Sequence, residues 1–278
     1  GSGMEPVFTT QEILPQGTLT AEAFLSGRIE SKIVVELLKK FDCFIAGGFV
    51  VSYLLKNSHY GDIDVFFSSK EEKDNALEFV GTSLGLNTKE LLTEDPYFSN
   101  NIFASTFRDV VRKVQLINIQ VGSIEKVLGT FDFINCQAAI SFNKETGKWL
   151  LAYNEEVPGL LASGKWKYQL QPLATEVSSE ELKKYALAGI NRLDKYLVKF
   201  PSGPWDAESR ENLIFQMAYL VKTQGRLGLT WEFRKLLEDN STDTKLLAPF
   251  LHFAEVRALL KRKLENQHLP YRFIHVDP

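Results

Sequence analysis

The stretch that most constrains this chain is residues 43–67, CFIAGGFVVSYLLKNSHYGDIDVFF. Its apolar head reads as a strand running into Gly47-Gly48. A helix opened by those glycines follows, with Val50, Val51, Leu54 and Leu55 on its apolar side, then a polar turn and a second strand carrying Asp62 and Asp64. Side chains at i and i+2 of a strand share a face, so the two aspartates project together while Ile63, Val65 and Phe67 take the other side. Two carboxylates aimed at one point repel unless a cation lies between them, and hard oxygen donors suit Mg²⁺ or Mn²⁺. A helix start free of Cβ atoms adds backbone N–H groups and a positive dipole end, which suit phosphates. One segment thus offers both a metal site and a phosphate site.

A Gly-Gly helix start followed by an Asp-x-Asp strand resembles the signature of the DNA polymerase beta-like nucleotidyltransferase superfamily. That group includes tRNA CCA-adding enzymes, poly(A) polymerases, antibiotic nucleotidyltransferases and nucleotidyltransferase-type toxins. The resemblance covers roughly residues 40–155 and rests on Gly47, Gly48, Asp62 and Asp64. It implies triphosphate binding at the glycines and metal binding at the aspartates. Relatives often carry a third carboxylate on the strand equivalent to residues 112–120, where this chain has Gln115. An amide carbonyl is a weak Mg²⁺ ligand, so Asp132, between Phe131 and Phe133, is the expected replacement, converging with Asp62 and Asp64. The opposing reading makes Asp132 a turn or capping residue. A Gln-Leu-Ile strand before a Phe-Asp segment further resembles nucleotidyltransferase-like proteins of phages and large DNA viruses. Against the whole resemblance stands a plain Gly-Gly turn in a generic α/β domain, with Asp62 as a strand-edge cap.

The expected fold is an α/β (α+β) nucleotidyltransferase-like N-terminal domain with a mixed sheet over residues 1–155, a connector over 156–177, and an all-helical domain over 178–278. A chain of 278 residues, 44% hydrophobic, can bury cores of that size. Thr20 is expected to cap a helix through residue 27, Ser31 the next, and Ser68 or Ser69 one ending at Gly81 or Gly85. Residues 5–19 read as an irregular arm, and residues 86–109 as a long loop with short strands. Ser123 caps a short helix ending at Gly129, and Glu145-Thr146-Gly147 turns a hairpin. The connector, with Pro158, Gly159, Gly164 and Pro172, reads as containing a short strand.

Ser52 and Lys70 are further expected phosphate contacts, each weighed against an ordinary helical serine and a solvated lysine. His59 is the one histidine close to the aspartates. Basic residues gather at Lys183, Lys184, Arg192, Lys195 and Lys199 and at Arg257, Lys261, Arg262 and Lys263, with Tyr185, Tyr196 and Trp205 available for stacking. Acids interleave with them, which also fits a solvated face. The net charge of −3 and pI near 5.9 give no overall basic footprint, so RNA binding would need a local groove.

Cys43 and Cys136 sit in apolar contexts and read as buried thiols of a reducing compartment. No apolar run is long enough to span a bilayer, GSGM reads as a purification scar before Met4, and the expected location is the cytoplasm. The expected activity is two-metal transfer of a nucleoside monophosphate from a nucleoside triphosphate to a hydroxyl, with Mg²⁺ or Mn²⁺ and no organic cofactor. An RNA 3′ end is the favoured acceptor. A protein or small-molecule acceptor, and a degenerate nucleotide-binding module, are the rivals.

Overall fold

Alternation of large apolar residues with short or polar ones builds a mixed sheet with two unlike faces. The structure, a computed structural model, describes residues 6–56, 61–88, 98–101 and 103–167. The chain divides into two units, Gly1–Ala162 and Ser163–Pro278. In chain order the strands are β1 (Phe8–Glu12), β2 (Cys43–Ala46), β3 (Ile63–Phe67), β4 (Phe98–Asn100), β5 (Ala104–Asp109), β6 (Arg112–Val121), β7 (Ala138–Asn143) and β8 (Lys148–Asn154). They form one sheet of eight in the order β1-β8-β7-β2-β3-β6-β5-β4. The β3–β6 pair is parallel and the others are antiparallel.

One face carries Ile45, Val65, Leu116, Ile140 and Leu151 against helices α1 (Ala21–Ile29), α2 (Lys32–Lys40) and α4 (Lys70–Leu84). Within that layer α2 supplies Val34, Leu37 and Leu38, all fully buried, at the spacing of a helical stripe. The opposite face carries Phe44 and Phe66, stacked with centroids 5.7 Å apart, under Val127 and Leu128 of α5 (Ile124–Gly129). Short helices α3 (Gly48–Leu54) and α6 (Val157–Ser163) follow β2 and β8.

Helix ends follow local chemistry. The side chains of Thr20, Ser31, Ser69 and Ser123 accept from backbone N–H groups at the starts of α1, α2, α4 and α5. Gly85, at φ +66°, closes α4 in the left-handed conformation that glycine adopts without strain. Cys43 and Cys136 are buried thiols, and enclosure pushes the Cys43 thiol well above its ordinary pKa.

Two segments differ from the sequence expectation. The arm at residues 5–19 holds β1, an edge strand whose register with β8 runs from Phe8↔Asn154 to Glu12↔Leu150. The connector begins with the helix α6, in which Pro158 sits in the first turn, where its missing N–H costs nothing; the connector beyond residue 167 lies outside the described residues. The stretch at 86–109 holds the short strands expected in it, β4 and β5, and β5 is joined to β6 by Val110-Val111. The expected C-terminal helices, with their basic and aromatic residues, lie outside the described residues, as does His59.

The start of β6 is fixed by a buried cation. Arg112, 2% exposed, donates to the carbonyls of Arg28 at 3.1 Å, Ile29 at 3.2 Å and Gly61 at 3.3 Å, and lies 3.6 Å from the Glu30 carboxylate. One guanidinium thereby ties the end of α1 to the approach to β3. Arg112→Met leaves those carbonyls without their donor and is expected to lower stability by about 2–4 kcal/mol, while Arg112→Lys recovers part of the loss. Urea unfolding of the full chain checks this, and a change below about 1 kcal/mol in Arg112→Met would count against it.

Candidate functional site

The acidic pair stands at the start of β3. Asp62 lies just before the strand and Asp64 is its second residue; Ile63 and Val65, between and beyond them, are fully buried on the opposite face. β2 ends beside this point, with Ala46 opposite Asp64, and the chain then turns at Gly47. Gly47 has φ +93°, a conformation that L side chains rarely adopt, and a Cβ built there would lie 3.9 Å from Asp64 Oδ2. The glycine turn and the acid pair are therefore direct neighbours.

Strand pairing sets the floor around Asp64. Across the sheet its row reads Ala152, Ala139, Ala46, Asp64, Gln115, Thr106 and Ser99. Every neighbour in this row is short or polar, whereas two residues along β3 the same face carries Phe66, with Phe131 at a centroid distance of 5.5 Å. The face is filled by aromatic rings at one end and kept low at the other. The low end is where the two carboxylates stand.

Gln115 is the register partner of Asp64, at the position where the sequence resemblance led a third acid to be expected. Its strand neighbour on the same face, Lys113, brings Nζ to 3.8 Å from Asp62 Oδ2, with the two side chains 43% and 47% exposed. A pair this exposed contributes little to stability, so its interest lies in where it puts a positive charge. Sequence reading did not single out Lys113. Alternation in RKVQ already places Lys113 and Gln115 on one face, but their position beside the aspartates follows from the β3–β6 register.

Other expected site residues are placed differently. Lys70 is exposed and opens α4, past the far end of β3, so the length of the strand separates it from the acid pair. Ser52 is 1% exposed on α3, and its Oγ is enclosed with no hydrogen-bond partner among the described residues. The hydroxyl is thus enclosed in the interior of the described residues. Asp132 is 5% exposed, between the end of α5 and a 3₁₀ turn at Ile134–Cys136. Among the described residues no three of His, Cys, Asp and Glu form a group that could hold a metal ion, so the expected convergence of Asp132 with Asp62 and Asp64 is not found. Its phenylalanine neighbours are fixed elsewhere, Phe131 against Phe66 and Phe133 in the interior.

A second polar cluster lies on the core side of the sheet. Lys73, 5% exposed, donates to Ser105 Oγ at 2.8 Å, and Ser105 donates to Asn100 Oδ1 at 2.8 Å. Burial lowers the Lys73 pKa. This chain ties α4 to β5 and the edge strand β4, and it faces away from the acid pair.

For Ser52 the burial has a measurable consequence. Ser52→Ala removes an unsatisfied polar atom and is expected to hold or raise stability by up to about 1 kcal/mol, with triphosphate affinity unchanged. Thermal unfolding with and without a nucleoside triphosphate checks both; a loss of affinity would restore the phosphate role expected from sequence.

Comparison with known proteins bears on the fold and, separately, on the family. A CCA-adding enzyme solved in complex with ATP superposes with a TM-score of 0.51 at 17% identity, covering 99% of this chain and 59% of that one. The Thermotoga maritima CCA-adding enzyme complexed with tRNA gives 0.49 at 16% identity, covering 99% and 58%. Of these two the first alone reaches the level at which likeness of fold can be argued, and it shows a shared mixed α/β fold and no more. The protein "Gabija anti-defense 2" of Bacillus phage SPbetaL7 is 30% identical over 114 residues, 40% of this chain and 26% of that protein. The chain thus matches about a quarter of this relative's length. The Gabija anti-defense 2 family profile matches residues 18–157, half of the chain and all of the acid-pair region. By that match the chain belongs to the Gabija anti-defense 2 family.

Proposed function

We propose that this chain transfers a nucleoside monophosphate from a nucleoside triphosphate to an acceptor hydroxyl, and that this chemistry serves the anti-defense role in its family's name. The observation that carries the reading is the placement of Asp62 and Asp64 together on the low part of one sheet face, against the Gly47 turn. The likeness in fold to a CCA-adding enzyme solved with ATP supports a triphosphate as the donor.

Asp62 and Asp64 would hold Mg²⁺ or Mn²⁺, for which their hard oxygen donors fit. When bound, the ion polarises the phosphoryl group and lowers the pKa of an attacking hydroxyl. Gly47 and Gly48 would take the polyphosphate beside the carboxylates, and a Cβ added at Gly47 would stand 3.9 Å from Asp64 Oδ2. In the transfer the acceptor oxygen bonds to the α-phosphorus as the bond to the departing pyrophosphate breaks. The sheet's contribution is orientation, since Asp64 sits on, and Asp62 just before, a strand fixed between β2 and β6. An RNA 3′ end is the first acceptor to try, on the strength of the lysine- and arginine-rich segments at 183–199 and 257–263. Label on protein or on a small molecule would place the chain with other branches of the superfamily.

One observation favours a second reading, a nucleotide-binding module without transfer: Gln115 stands beside Asp64 where an acid would serve a second ion. The two readings part on one experiment. Asp62→Asn and Asp64→Asn are near-isosteric and are expected to unfold at the wild-type temperature within a few degrees. They should lower metal-dependent release of pyrophosphate and labelling of cellular RNA by about a hundredfold or more. Wild-type protein that binds triphosphate but releases no pyrophosphate with Mg²⁺ or Mn²⁺ would select the binding module.

A further inference from the structure

The parallel register of β3 with β6 places Ile63 beside Val114 and Asp64 beside Gln115, which sets Asp62 beside Lys113 one step earlier. Neighbours across a sheet share a face, so Asp62, Asp64, Lys113 and Gln115 form one four-residue patch. Arg112 and Val114 point to the other side, where Val114 is fully buried and Arg112 is held by three backbone carbonyls. The root of Lys113 is therefore fixed on a clamped strand, while its ammonium reaches 3.8 Å from Asp62 Oδ2 and remains 43% exposed. Among the described residues no third acid completes a metal-binding group with the pair.

Charge decides what such a patch can hold. Two carboxylates and one ammonium sum to a single negative charge, enough to attract one divalent cation and poor at attracting two. A divalent ion seated on Asp62 would repel the ammonium that pairs with it now. The flexible lysine stem then lets that charge move to the nearest anion, and a triphosphate bound at the same ion supplies one. A lysine binds phosphate oxygens as a compact point charge, the service that a second cation would otherwise give.

We propose that Lys113 is a phosphate-binding residue of this site and takes the place of a second divalent ion, so that a nucleoside triphosphate is held by one ion on Asp62 and Asp64 together with the Lys113 ammonium. This rests on the nucleotidyltransferase reading for the ligand's class, but its test measures binding and not transfer.

The full chain, wild type and with Lys113→Gln or Lys113→Glu, is titrated with Mn²⁺ alone and with Mn²⁺ plus α,β-methylene ATP, which cannot be cleaved at the reacting position. Bound Mn²⁺ is counted by electron paramagnetic resonance. Wild type is expected to hold one tightly bound Mn²⁺ per chain in the nucleotide complex. Lys113→Gln removes the cation that competes at Asp62, so affinity for Mn²⁺ alone rises about two- to fivefold while analogue affinity falls about tenfold. Opposite signs in one variant are not the signature of a merely structural lysine. Lys113→Glu supplies a third acid and is expected to raise the count to two. Two tightly bound ions in the wild-type complex, or unchanged analogue affinity in Lys113→Gln, overturns the proposal. Wild type that binds the analogue with one ion and fails to transfer leaves Lys113 in place and overturns only the enzymatic reading; wild type that binds neither overturns both.

Discussion

The parallel pairing of β3 with β6 is the constraint on which the rest of the site depends. Parallel neighbours cannot be joined by a tight turn, so the chain between them must cross the sheet, and α4 with the β4–β5 edge fills that crossover. Side chains alternate with a period of two, so a slip of one residue in β6 would bring Arg112 and Val114 beside the aspartates and bury Lys113 and Gln115. The clamp at Arg112 opposes such a slip, because only in this register does its guanidinium meet the carbonyls of Arg28, Ile29 and Gly61 together. Packing on one side of the sheet thus dictates the charges that face the acids on the other.

Burial also explains where the site lies along its own face. Phe44 and Phe66 stack under α5, and Phe131 closes against Phe66, which fills one half of that face with rings. Toward Ala46 and Ala139 the side chains shrink to methyl groups. A carboxylate placed among the rings would carry a heavy desolvation cost, whereas one on the low part keeps room for a cation or solvent. Desolvation cost therefore favours this position on β3 for a carboxylate.

What the sequence made legible was whatever is decided within a few residues. Capping serines and threonines announced α1, α2, α4 and α5, and period-two alternation put Asp62 and Asp64 on one face. What it hid was decided by partners distant in sequence. β1 has an almost entirely exposed pattern and exists by pairing with β8, so no apolar alternation betrays it. The β5–β6 turn carries Val110 at φ +53°, where Gly or Asn would be the usual signal, so nothing local marks this hairpin. The neighbours of the acids followed the same rule. Gln115 drew notice as a missing acid and Asp132 was enlisted to replace it, while Lys113 passed unremarked, because adjacency across a sheet is a matter of register and not of spacing.

The departure at Gln115 changes meaning once its neighbours are known. Taken alone, an amide in place of a carboxylate suggests chemistry that has been lost. Beside it stand an intact pair of aspartates, a glycine turn whose φ of +93° excludes most other residues, and a lysine on the free side of Asp62. Gly47 takes that conformation without strain, and Lys113 offsets part of the charge on Asp62, so the three features fit together on one face. The family match over residues 18–157 encloses this whole patch. On the proposed reading the patch is one site in which an ammonium held by β6 stands where a third acid was expected.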